Sequence, residues 1–275
     1  MRRSDILVLA LLLFGGTLLW LREARAAALP VADVLPLLVA WPLFFQLGRP
    51  WKFRAAGPVV SVPGLALACG CLAVGWLAGM AVATALGGTL ALGAWLLVRA
   101  EQPGRYGLCR LLLLPLLGFP WLAGAGGLGW YFRLSGAWVA ERCFSLTGLT
   151  LAREGTLLTV QGQRLAVEAA CAGLGSLQAM LLAGAVAAVM ELDRSPRFWL
   201  SLPVLFAAAW LANTLRIVVI SAAALSEGAA FAGGTFHALS GIAVLAAIYL
   251  ACLALFRRWG RPRTVVRRKP MAVNS

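Results

Sequence analysis

The sequence predicts an all-α polytopic membrane protein of about eight transmembrane helices, with a small extracytoplasmic β-meander before the sixth. Three observations predict it. Apolar residues make up 61% of the chain, against about half in an ordinary soluble domain, and mean hydropathy is +0.87. Apolar runs of roughly 18 residues or more recur along the whole length, enough to cross a hydrocarbon core about 30 Å thick. The charged residues, 12% of the chain, sit between these runs.

Taken in order, the spans are expected at 5–21, 31–47, 59–78, 80–98, 111–130, 172–191, 198–225 and 236–256. The first follows Arg2 and Arg3 and precedes Ala26-Ala27-Ala28, which resembles a signal peptide. Its run is long for an h-region, and Arg22, Glu23 and Arg25 interrupt the approach to the alanines, so it is read as a retained span. Pro36 and Pro42 predict kinks in the second span, which neighbouring helices can compensate in lipid. The third and fourth spans have almost no connector around Gly79 and form a tight hairpin. Gly64, Gly70, Gly75, Gly87, Gly88 and Gly93 suit close backbone packing there. After the fifth span, Trp130, Tyr131, Arg133 and Trp138 have membrane–water interface character. Residues 131–146 are therefore expected to be an interfacial or re-entrant helix and not a further span.

Charge counting sets the orientation. With the N-terminus in the cytoplasm, the inner segments hold seventeen Lys and Arg residues and the outer segments six, with Arg216 inside a span. Basic residues collect on the cytoplasmic side, so both termini are expected there. A span at 131–146 would put the later charges on the wrong sides. The net charge of +14 is accounted for by these topology signals, and no nucleic-acid partner is expected. The lipid bilayer is the expected environment.

The six cysteines do not fall into a disulfide framework. Cys69, Cys109 and Cys252 lie in or beside apolar runs, where cysteine packs as a small hydrophobe. Cys69 and Cys71 are two apart on a helix, point apart, and make a poor metal pair. Cys143 falls in an outer segment with no assigned role.

Residues 147–170, TGLTLAREGTLLTVQGQRLAVEAA, alternate roughly between apolar and polar, with turn signals at Glu154-Gly155 and Gln161-Gly162. They predict a β-meander that leads directly to Cys171. The chain divides into N-terminal spans plus the interfacial segment (1–146), a core of meander and last three helices (147–257), and a basic cytoplasmic tail (258–275).

Three polar residues then share one depth. Cys171 opens the sixth span, which enters from outside. Arg216 lies 18 residues past Phe198, a rise of about 27 Å, near the outer edge of the core. His237, the only histidine, opens the eighth span, again from outside. Each has an ordinary reading: an inert buried thiol, an arginine snorkelling to the interface, a histidine with a structural hydrogen bond. An arginine amid apolar sequence costs at least ~2.5 kcal/mol near mid-helix, and such residues face polar interiors and mark function. The joint coincidence favours a thiol active site. A helix N-terminus and nearby cations lower a thiol pKa, which suits Cys171 as nucleophile. His237 suits the general acid/base role. Arg216 can hold an oxyanion or a substrate carboxylate. Asn213 lies one turn before Arg216 on the same face. Gly173 leaves room for a substrate backbone. Glu168 could orient His237, although a solvated carboxylate is its plainer reading. No metal-ligand cluster is evident.

At these residues the sequence resembles the exosortase/archaeosortase family of polytopic membrane enzymes. The matching text is AREGTLLTV, AVEAACAGLGSLQAML, LANTLRI and FHALSG, over about 150 to 257. The family's cysteine block often reads C-S-G, and here Cys171 is followed by Ala172 and Gly173. The N-terminal half matches only as a set of spans. The resemblance implies a cysteine transpeptidase or endopeptidase acting at the periplasmic face of the bacterial inner membrane. Its substrates would be proteins bearing a C-terminal sorting signal: a short Pro-Glu-Pro-type (PEP-CTERM) motif, a transmembrane helix and a basic tail. It implies Cys171 as nucleophile through a thioacyl intermediate, Arg216 as oxyanion or carboxylate partner, and His237 as general acid/base. It also implies no cofactor, a polysaccharide or lipid-linked acceptor, and a link to exopolysaccharide biosynthesis. Two other classes stay open: a small transporter with Arg216 lining an anion path, and a non-catalytic scaffold of exopolysaccharide assembly.

Overall fold

The computed structural model describes scattered positions between 7 and 22, then residues 35–54, 57–119, 122, 126–148, 151–160, 163–166, 173–192 and 195–260. The chain is mainly helical. Its described elements are α1 (Leu35–Leu47), β1 (Lys52–Phe53), α2 (Val62–Ala78), α3 (Ala81–Arg99), β2 (Ala100–Gln102), α4 (Gly104–Leu111), α5 (Leu113–Gly118) and α6 (Gly126–Leu146). They continue with β3 (Leu151–Glu154), β4 (Leu157–Val160), β5 (Gln163–Ala166), α7 (Leu174–Leu192), α8 (Arg197–Glu227), α9 (Ala229–Gly233) and α10 (Thr235–Trp259). Among the described residues, four helices are long and apolar enough to cross a membrane: α3, α7, α8 and α10.

The hairpin expected around Gly79 is α2–α3. Ser61 caps α2, its hydroxyl accepting from the Gly64 N–H, and Gly79 ends it in the left-handed region at φ 63°. Gly75 and Gly87 let the two backbones approach. A Cβ on Gly75 would lie 2.7 Å from Thr84 N, and one on Gly87 would lie 2.9 Å from Leu72 N. Gly70 and Gly88 face open space instead, so not every small residue in this pair serves packing.

The fifth expected span, 111–130, is not one helix. It is broken into α4, α5 and the start of α6, and proline chemistry explains both breaks. Pro115 has no N–H to give the Leu111 carbonyl, so the ladder is interrupted where α4 passes into α5. Phe119 precedes Pro120, which disfavours the helical region for it, and Phe119 is extended at φ −73°, ψ 146°. The carbonyls freed at that end are met from another helix. Gln178 of α7, 6% exposed, donates through Nε2 to the carbonyls of Leu117 at 3.1 Å and Phe119 at 2.9 Å.

Residues 131–146, expected as an interfacial or re-entrant helix, belong to the 21-residue α6, which stands beside α8. The Phe132 and Phe206 rings meet edge-on at 5.7 Å. Trp210 Nε1 donates to Ser135 Oγ at 2.9 Å. A Cβ on Gly136 would lie 2.5 Å from Ile217 Cδ1. The contacts advance along both helices together, so α6 and α8 run parallel. Residues 151–166 form a three-stranded antiparallel meander, β3-β4-β5. Leu158 is fully buried against Ala137, Ala140 and Phe144 of α6 and Ile217 of α8. Arg153 Nε donates to Glu141 Oε2 at 2.7 Å and ties β3 to α6.

The segments that charge counting assigns to the cytoplasm meet at one end of the bundle. β1 pairs with β2. Tyr106 Oη donates to the Ser195 carbonyl at 3.3 Å. Arg197 Nη1 donates to the Trp259 carbonyl at 2.8 Å, and Arg257 pairs with Glu191 at 3.2 Å. The sheet, the C-terminal ends of α6 and α8, and the start of α10 lie at the other end.

Candidate functional site at the α7–α8–α10 junction

Of the residues singled out in the sequence, Gly173, Asn213, Arg216 and His237 are described; Cys171 and Glu168 lie outside the described residues. The site is therefore built from α7, which begins three residues after Cys171 in the sequence, and from the helices packed at its entrance.

Gly173 precedes α7, and its carbonyl accepts from the Leu177 N–H at 2.8 Å, so it caps that helix. Its φ is +72°, a conformation glycine adopts without strain. A Cβ there would lie 2.5 Å from Asn213 Oδ1 and 3.0 Å from Asn213 Cβ. Both residues are buried, Asn213 at 2% exposure. The entrance of α7 is thus pressed onto α8 with an amide side chain at the contact. Gly184 packs on the Leu205 side chain further along, and α7 and α8 run antiparallel.

Arg216 lies three residues after Asn213, on the same face of α8. Its side chain crosses to α10, where a Cβ on Gly241 would lie 2.8 Å from Arg216 Nε and 3.1 Å from Cζ. Nε is buried and makes no hydrogen bond among the described residues. His237 is one turn before Gly241, in the first turn of α10. It is half-buried, its N–H donates to the Gly234 carbonyl at 3.0 Å, and its own carbonyl accepts from Ser240 Oγ. Residues four apart share a helix face, so His237 is on the α10 face that Gly241 presents to Arg216.

Two glycine contacts therefore hold the arrangement: Gly173 on Asn213, and Gly241 on Arg216. Gly241, the last residue of FHALSG, is a positioning residue that spacing alone does not single out. Gln178 carries a signal, because an amide inside an apolar run must find partners.

A model of the transmembrane exosortase family matches residues 32–255. The chain belongs to the transmembrane exosortase family. The match covers most of the chain, so the family character extends well before residue 150, into the spans that by themselves read only as apolar helices. No curated protein and no solved structure matches the chain. Among the described residues of this exosortase, no group of three His, Cys, Asp or Glu side chains could hold a metal ion.

Proposed function

We propose that this exosortase is a cysteine transpeptidase or endopeptidase that cleaves a C-terminal sorting signal of exported proteins at the outer face of the bacterial inner membrane. Both termini are cytoplasmic in this reading, and residues 147–257 form the catalytic core. The observation that carries it is the junction of α7, α8 and α10: Gly173 against Asn213, with Arg216 against Gly241 on the face that holds His237. Cys171 stands two residues before Gly173 in the sequence, which supports assigning the nucleophile to this junction.

The chemistry proceeds in two halves. His237 takes the Cys171 proton, and the thiolate attacks the scissile carbonyl carbon. Arg216 stabilises the oxyanion that forms. The C–N bond breaks as His237 protonates the departing amine, leaving a thioester on Cys171. A nucleophile, either water or an acceptor such as a polysaccharide or lipid-linked species, then attacks the thioester carbonyl. His237 accepts the nucleophile's proton, the C–S bond breaks, and the imidazolium returns that proton to the departing Cys171 thiolate. Asn213 holds the α7 entrance on α8, Gly173 leaves room for the substrate backbone, and Glu168 is a weaker candidate for orienting His237.

The test is processing of a co-expressed substrate bearing a Pro-Glu-Pro-type signal. Cys171→Ala and Cys171→Ser are expected to reach the membrane in normal amount and to leave the substrate uncut. Normal processing by either variant would remove the thiol mechanism.

A further inference from the structure

At the end of the bundle opposite the candidate active site, a cleft of about 460 Å³ opens between the α1–β1 turn, the β2–α4 turn and α7. That volume falls in the range of small-ligand sites, roughly 300–1,000 Å³. Its mouth carries Arg49 and Glu101, both exposed. Its wall carries Arg110, only 5% exposed. The Arg110 guanidinium carbon sits 5.0 Å from the Tyr106 ring and 5.4 Å from the Phe198 ring. Two aromatic faces thus hold this cation in place, which reduces the entropy lost when it pairs with an anion. The N-terminal residues of α4, Gly104 and Gly107, line the same cleft, and a helix N-terminus adds positive potential. Leu47, Leu111 and Val189 supply an aliphatic side.

Among the described residues that line the cleft, two arginines and a helix N-terminus stand against one carboxylate, a balance that suits an anion. The cleft is at the end of the membrane-crossing helices α3 and α7, where lipid headgroups lie, and its wall is part polar and part aliphatic. We infer that it binds the headgroup of an anionic phospholipid, the phosphodiester between Arg49 and Arg110 and the first acyl carbons along Leu47, Leu111 and Val189. Basic pockets between membrane helices bind such headgroups in general. The occupant would brace the α1–β1 and β2–α4 turns against α7. This assignment does not depend on the catalytic reading, because no residue of the α7–α8–α10 junction lines the cleft.

The experiment is native mass spectrometry of the full chain released from micelles carrying phosphatidylglycerol, phosphatidylethanolamine or no lipid, with inorganic phosphate as a further arm. One phosphatidylglycerol per chain is expected to survive release. Arg49→Ala, at an exposed position, is expected to weaken that binding about fivefold, the effect of one basic residue at a lipid surface. Glu101→Gln, also exposed, is expected to strengthen it, because it removes the opposing charge. Equal retention of phosphatidylethanolamine, or indifference to both substitutions, would mean unselective surrounding lipid and would overturn the inference. Binding of inorganic phosphate without retained lipid would overturn it too, in favour of a soluble anion.

Discussion

Gly241 is packed against the stem of Arg216, so that any Cβ at 241 would sit 2.8 Å from Nε. The absence of a side chain on α10 lets the guanidinium of α8 lie across the seam, one turn from His237. Gly241→Ala is therefore expected to displace Arg216 and lower kcat/KM for signal cleavage at least tenfold, with unchanged membrane yield. Gly70→Ala is the control, because nothing lies within 4 Å of a Cβ there. Equal activity of the two variants would sever Gly241 from the site.

Arg216→Lys keeps the charge but replaces a planar fork of donors with a point charge. Loss of one oxyanion donor costs about 10²–10³ in kcat, and a lysine is expected to restore only part of that. The readout is single-turnover thioester formation on a signal peptide. Full activity with lysine would mean that only the charge matters.

Gly173 and Asn213 should be coupled. Gly173→Ala meets two penalties, a positive φ and the Asn213 side chain. Asn213→Ala removes the contact with Oδ1 but leaves the positive φ and the Cβ at 3.0 Å. A double-mutant cycle on thermal stability in detergent should give a coupling of about 0.5–3 kcal/mol, as for residues in contact. Strict additivity would place the two residues apart.

Gln178→Leu leaves the carbonyls at the end of α5 without their buried donor, at a cost of about 1–3 kcal/mol. The expected result is a lower melting temperature, by several degrees, with α7 still able to insert. Gln178→Glu is expected to be worse, because a carboxylate cannot donate when ionised. A leucine variant as stable as the parent would show that water satisfies these carbonyls equally well.

What could be read from the chain was what composition, spacing and terminators encode locally. The apolar runs, the turn at Gly79 and the alternation at 151–166 each act through neighbouring residues, so they were legible. The meeting of the described parts of the basic segments, 48–54, 99–110, 195–197 and 257–259, was expected from charge alone. The break at Phe119-Pro120 was in principle legible too, but the apolar run across 111–130 masked it, since hydropathy does not register a missing N–H.

The sequence by itself determined that this is a helical membrane protein, while charge and spacing supplied only the expectation of basic loops at one end and of a histidine, an arginine and a cysteine at one depth. Only the tertiary structure decided which helix faces meet: Gly173 with Asn213, Arg216 with Gly241, Gln178 with the end of α5. The reason is that hydropathy fixes how deep a residue lies but not the rotation of its helix. Rotation is set by packing between helices, and here glycines far apart in sequence choose it by leaving space for one particular side chain.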